Sequence, residues 1–189
     1  MQKQFQTERA IQQQKRINDS LISLMLEKPY SEITVQLISE RANIPRRMFY
    51  YYYDGKDQVF DTFLLDIFEN CDLEVMFLSQ PDRAALEQSL VRFFYYWRDR
   101  KSTELTAILS SGLGNTMLGN WVQWISQQMK KQDCLSPLSE SDHEAQSFLG
   151  AICIFHALSY WQTSGFLYTP EQIARHVTKI LTEPLYPTT

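Results

Sequence analysis

The sequence predicts an all-α chain of about nine helices, three in an N-terminal head over 1–55 and six in a C-terminal body over 56–189. Three observations carry that expectation. Apolar residues recur three and four positions apart through nearly every segment, which is the period of one buried stripe on a helix. No stretch alternates apolar and polar residues for long enough to make a strand. Pro, Gly, Asp and Ser fall where one stripe ends and the next begins.

Taken in order, residues 1–6 should fray, and a first helix over 7–27 should bury Ile17, Leu21, Leu24 and Met25. Pro29 ends it, with Tyr30 and Ile33 packing beneath the next pair of helices. Thr34 is a good N-cap for a short helix whose apolar positions, continued through the turn, are Val35, Leu37, Ile38, Ala42 and Ile44. Asn43 tolerates positive φ at the turn, and Pro45 suits the first turn of a further helix reaching about Tyr52. In that helix Met48, Phe49 and Tyr52 are expected inward, leaving Arg46, Arg47, Tyr50 and Tyr51 outside.

After a turn at Asp54 and Gly55, a long helix begins at Lys56 and runs to about 77 with Val59, Phe60, Phe63, Leu64, Ile67 and Phe68 at helical spacing. Gln80 and Pro81 break the pattern, and Asp82 caps a strongly aromatic helix carrying Phe93, Phe94, Tyr95, Tyr96 and Trp97. A short helix over 104–109 leads to the break SSGLGN, whose glycines lack the strand and the Lys of a phosphate loop. The next helix, over 116–131, carries Met117, Trp121, Trp124, Ile125 and Met129, and a serine-rich loop with Pro137 follows. Ser141 or Asp142 should cap a long apolar helix to Ser164, stopped by Gly165. Thr169, Pro170 and Glu171 open the last helix, and Pro184 and Pro187 close the structured chain.

The net charge of −4 is unevenly spread over the 189 residues. Residues 1–58 hold nine Lys or Arg against seven Asp or Glu, while the remainder is −6. A weakly basic head on an acidic body fits a protein that meets phosphate at one end only. Cys71, Cys134 and Cys153 are odd in number and far apart, which suggests reduced thiols and neither a disulfide framework nor a metal site. The polar N-terminal stretch lacks the apolar core of a signal peptide and no apolar run approaches a membrane span, so a cytoplasmic protein is expected. His143, His156 and His176 sit in different contexts, with no nucleophile–base pairing or paired-carboxylate motif beside them. No enzyme and no cofactor are expected.

The stretch TVQLISERANIPRRMFYYYYDGK over 34–56 therefore reads as a helix, a tight turn and a basic aromatic helix, the arrangement that places a second helix in the DNA major groove. Thr34, Val35, Ile38, Ala42, Ile44, Tyr50, Tyr52, Tyr53 and Lys56 make this stretch resemble the DNA-binding core of the TetR family of bacterial transcription regulators, over roughly residues 7–65. Asn43 replaces the family's usual Gly, Pro45 its capping Ser, and Arg47 a frequent Gly, so the tip that would meet DNA is this chain's own. By position and by resemblance, Arg46, Arg47 and Tyr51 are expected to read bases, and Thr34, Tyr50, Tyr52 and Lys56 to hold phosphates.

The resemblance further implies a homodimer on a palindromic operator, usually a repressor that a small molecule releases from DNA. The expected dimer interface is a four-helix bundle built from the last two long helices through Phe148, Ile152, Phe155, Ser159, Ile173, Val177 and Ile180. An effector of unknown identity would sit among Phe63, Phe68, Phe93, Phe94, Tyr96, Trp97, Trp121 and Trp124. The alternative is a TetR-like co-activator or protein-interaction module that has lost direct DNA binding, and the two arginines at the tip argue against it.

Overall fold

Ile17, Leu21, Leu24 and Met25 lie along one face of the first helix, α1 (Glu8–Met25), and all four are buried. The structure is a computed structural model describing the backbone of residues 8–71, 82–131 and 140–183, and their side chains except those of 129–131, 140–144, 146 and 147. The sequence readings for the N-terminal fraying, the helix beyond Cys71, the break at Gln80 and Pro81, the serine-rich loop and the terminal prolines lie outside the described residues.

A single 3₁₀ turn, Tyr30–Glu32, follows Pro29 and was not legible in the periodicity, because three residues carry no stripe. Thr34 then caps α2 (Val35–Arg41), its Oγ1 accepting the Leu37 N–H at 3.2 Å. The helix ends as expected on Asn43, whose φ is 50°. The Ile44 N–H reaches back to the Ser39 carbonyl at 3.0 Å, and the Asn43 N–H to that of Glu40 at 3.1 Å. This pair of bonds is the Schellman cap, and it consumes the last carbonyls of α2.

Pro45 is the N-cap of α3 (Arg46–Tyr52), which therefore starts within one residue of the expected position: the ψ of Pro45, 142°, is not helical, while its carbonyl already accepts the Met48 N–H at 2.8 Å. The inward face also differs. Phe49 is fully buried, but Met48 is 36% exposed and Tyr52 half-buried; Tyr53 takes the inner place. The helix stops at Tyr52 and Tyr53 turns extended, which lays its ring 6.0 Å from that of Phe49.

Helix α4 (Lys56–Asn70) buries Val59, Phe60, Phe63, Leu64, Ile67 and Phe68. Asp82 caps α5 (Arg83–Arg100) by accepting the Ala85 N–H at 3.3 Å. Then follow α6 (Ser102–Ser110) and α7 (Gly114–Lys131), each starting two residues ahead of the expected position, and α8 (Glu140–Thr163). The last of these begins before the Ser141 or Asp142 expected to cap it. Gly165, at φ 70°, stops α8, and Thr169 opens α9 (Pro170–Thr182) with a capping box to Gln172.

Two compact units divide the chain: Met1–Ile67 with Thr106–Gly114, and Phe68–Leu105 with Asn115–Thr189. In the first, α1 packs on α2 and α2 on α3; in the second, α9 lies along both α5 and α8. No helix among the described residues is long and apolar enough to cross a membrane.

Candidate nucleic-acid interface

The outer face of α3 is held from beneath. Phe49 and Tyr53 anchor the helix from its buried side, α3 packing on α2 and the Tyr53 hydroxyl reaching Asn18 of α1 at 3.4 Å. On the opposite side Arg46, Arg47, Tyr50 and Tyr51 are exposed, the two tyrosines at 44% and 54%. Large rings left this open cost apolar hydration, and their clustering on one face marks a contact surface. Arg46 is preset on that face: its Nη2 donates to the Tyr50 hydroxyl at 3.1 Å, and its guanidinium carbon lies 5.5 Å from the ring centre. Tyr51 meets Tyr52 edge to face at 5.1 Å.

Two further cations of the head, Lys15 and Arg41, are engaged within the chain. Lys15 pairs with Asp19 at 2.6 Å. Arg41 forks onto both oxygens of Glu27, each at 2.7 Å, and also donates to Ser23 Oγ at 2.6 Å. That bidentate bond holds the Glu27 carboxyl below its ordinary pKa and the Arg41 guanidinium above its own. It ties α2 to the end of α1 across fourteen residues, and no local sequence signal could have announced the pair. Arg46 and Arg47 meet no carboxylate among the described residues.

Thr34 and Lys56, both expected on phosphate, are tied up inside the head. Thr34 Oγ1 is the cap of α2. The Lys56 ammonium donates to the carbonyls of Tyr30 at 2.7 Å and Ile33 at 2.8 Å, and lies 4.3 Å from the Tyr30 ring centre. A cation at a helix N-terminus opposes the helix dipole, and these carbonyls and the ring compensate it within the chain.

In the second unit the rings expected around an effector come together in part. Trp121 stacks on Phe93 at 5.6 Å and on Phe68 at 6.2 Å, Trp124 approaches Phe68 at 5.9 Å, and Phe93 meets Trp97 at 6.2 Å. Phe68, Cys71, Phe93, Trp97, Met117 and Trp121 border one crevice with no room for a water molecule. Phe94 faces Trp161 at 5.2 Å instead, Tyr96 is half-buried beside Trp97, and Phe63 belongs to the first unit, where it meets Phe60. The indole N–H groups of Trp97 and Trp121 are buried without an acceptor among the described residues.

Of the residues expected at a dimer interface, Phe155, Ile173 and Val177 are buried within this chain's own second unit. The α9 stripe was read correctly as apolar, but α5 and α8 already cover it. Phe148 and Ile180 remain exposed, and Ile152 and Ser159 half-buried.

The family model described as bacterial regulatory proteins of the tetR family matches residues 17–62, which spans α1 from Ile17 through α3 and into α4. No match was found among curated proteins. Among solved structures, the chain is similar to a TetR transcriptional regulator from Streptococcus agalactiae, at 19% identity with a TM-score of 0.62, covering 92% of this chain and 96% of that one. It is similar also to the fatty acid degradation regulator FadR from Bacillus halodurans, at 12% identity and TM-score 0.58, covering 92% and 96%. A third similar structure is the dihydroxyacetone kinase operon activator DhaS, at 17% and 0.55, covering 90% and 94%. The head over residues 17–62 thus matches the tetR family model, and the all-α fold is shared with these solved structures over nine-tenths of the chain.

Proposed function

We propose that the protein is a sequence-specific DNA-binding regulator acting as a homodimer on a palindromic operator, with α3 in the major groove. The observation that carries this reading is the outer face of α3, where Arg46 and Arg47 stand exposed beside Tyr50 and Tyr51, without carboxylate partners among the described residues. Arginine forks suit guanine edges, and the flanking phenols suit phosphate oxygens. A gel shift of the protein against the DNA upstream of its own gene, beside a shuffled duplex of equal length, tests it. Tighter retardation of the upstream duplex is expected, and equal affinity for both would sink the reading.

One α3 makes few base contacts, whereas two held about 34–36 Å apart double them and match a palindrome. The surface that supports a dimer is the outward side of α8 and α9, with Phe148, Leu149, Tyr160 and Ile180 exposed. A second copy laying the same face against it buries those side chains, as an isologous interface does. Ile180→Asp should therefore sediment as a monomer and lose operator binding together; a dimeric Ile180→Asp protein would place the interface elsewhere.

An effector is supported by the indole N–H groups of Trp97 and Trp121, which find no acceptor among the described residues, an unpaired buried donor costing about 1–3 kcal/mol. Binding would require the crevice to open, and a flat molecule carrying an acceptor would satisfy those donors. Such a compound should quench tryptophan fluorescence and lower operator affinity on one saturation curve. Repression follows the family resemblance, while one fold neighbour is described as an operon activator, so a reporter behind the bound promoter decides the sign.

A further inference from the structure

We infer that Tyr30 and Lys56 are positioning residues for DNA recognition: they latch the turn that closes α6 to the entry of α2, so that a shift of that turn is passed to α2 and α3. The inference rests on the DNA-binding reading of α3 and adds to it a control point remote from the bases.

Three chain segments meet at Tyr30, and each of its polar groups is used. Its N–H donates to the Ser111 carbonyl at 3.1 Å, its own carbonyl accepts from Lys56 at 2.7 Å, and its hydroxyl donates to Asp57 Oδ1 at 2.8 Å. The ring lies between the Lys56 ammonium and Phe60, whose centre is 5.8 Å away. Burial, reinforced by the Asp57 carboxylate, raises the phenol's pKa well above its ordinary value, so it stays a donor at neutral pH. The second Lys56 bond goes to the Ile33 carbonyl, the peptide that leads into Thr34, the cap of α2. From there the Schellman turn at Asn43 joins α2 directly to α3.

The other end of the latch is a turn with a defined shape. Leu113 N–H reaches the Ile108 carbonyl at 3.0 Å and Gly112 N–H that of Leu109 at 3.4 Å, with Gly112 at φ 87°. Ser110 Oγ donates to the Ala107 carbonyl at 3.3 Å within the helix and lies 3.5 Å from the Met25 carbonyl at the end of α1. A backbone acceptor in such a turn moves whenever the turn does, and the bond it receives is directional. Residues 106–114, Tyr30 and Lys56 all belong to one compact unit, so the latch is internal to it.

Lys56→Met, Tyr30→Phe and Gly112→Ala in the full-length protein test the latch, with binding to the upstream and shuffled duplexes measured over a salt series. A Cβ at Gly112 meets nothing within 4 Å, so that variant strains only the turn. Lys56→Met should weaken operator binding about tenfold while the slope of log affinity against log salt stays as in the wild type, because no phosphate contact is lost. A flattening by about 0.9 would make Lys56 a phosphate ligand and overturn the proposal. Gly112→Ala should weaken binding in the same direction, and its effect should largely vanish in the Lys56→Met background; losses that multiply would also overturn it. If the wild type bound neither duplex, the DNA reading itself would fall and amide exchange would still judge the latch. Gly112→Ala and Lys56→Met should speed exchange in α2, and unchanged exchange would refute it.

Discussion

Two aromatic runs, 48–53 on α3 and 93–97 on α5, obey the same geometry and end in different chemistry. In each, rings near i and i+4 go inward: Phe49 and Tyr53 in the first, Phe93 and Trp97 in the second, all buried. In each, tyrosines fall outside with an arginine against the ring, Arg46 at 5.5 Å from Tyr50 and Arg98 at 4.8 Å from Tyr95. The runs part at the next step. Tyr95 donates to Glu171 at 2.6 Å and Arg98 to Asp99 at 2.7 Å, so the outer face of α5 is answered by the chain's own carboxylates. On α3 nothing acidic answers Arg46 or Arg47 among the described residues. Packing builds the helix in both cases, and the unanswered charge on α3 is what supports the proposal of an outside partner there.

The largest effect should come from the shared part of the design. Phe49→Ala and Phe93→Ala each remove a fully buried ring, and each should destabilise its unit by about 3–5 kcal/mol in urea unfolding. Their consequences for DNA should diverge. Phe49→Ala should abolish operator binding, because α3 loses its anchor, whereas Phe93→Ala should leave the affinity of the still-folded fraction unchanged. A Phe49→Ala protein that bound normally would show that α3 does not depend on the packing beneath it.

The unshared part should give an intermediate effect. Arg47→Ala should cost about 1–3 kcal/mol of operator affinity and little affinity for shuffled DNA. Arg98→Ala, on the answered face, should change neither. Equal losses of Arg47→Ala on both duplexes would reduce the α3 arginines to general phosphate attraction, and the contrast with α5 would lose its meaning.

How far these features could be read beforehand depends on how local their causes are. Helical stripes, the Thr34 and Asp82 caps, the Asn43 turn and the Thr169 capping box all sit within a few residues of their partners, and each was legible. Two assignments needed knowledge of what packs where. Ile173 and Val177 form a true apolar stripe, yet a stripe cannot say whether α5 of the same chain or a second copy covers it. Lys56 stands where a cation opposes the helix dipole, and its acceptors are carbonyls 26 and 23 residues earlier, brought there by a 3₁₀ turn that leaves no periodic trace. The inward place of Tyr53 instead of Met48 had a faint signal, since Phe49 and Tyr53 are four apart, but it depends on the extended conformation of Tyr53 just past the helix end.

The smallest effect at neutral pH, and the one that separates a buried phenol from an exposed one, belongs to Tyr53. Its hydroxyl reaches Asn18 Oδ1 only at 3.4 Å, a weak bond, so Tyr53→Phe should shift the stability of the head by less than about 0.5 kcal/mol at pH 7. Alkaline pH should expose the difference. Burial of the ring pushes the Tyr53 phenol up to about 12, above its ordinary value of 10.0. The folded head therefore holds this proton more tightly than the unfolded chain does, and the stabilisation it brings is complete below pH 10 and is lost as pH rises towards 12. Tyr30 titrates in the same sense, so Tyr53→Phe should soften the alkaline loss without removing it. Tyr95 provides the contrast on the body side: its phenol is raised by the bond to Glu171 but sits at the surface, where solvent screens the penalty, and Tyr95→Phe should leave the alkaline profile as it was. Urea unfolding from pH 9 to pH 12 would show it. Curves for wild type and Tyr53→Phe that stayed parallel throughout would mean that the Tyr53 ring is reached by water, and the inner face of α3 would be no better buried than the outer face of α5.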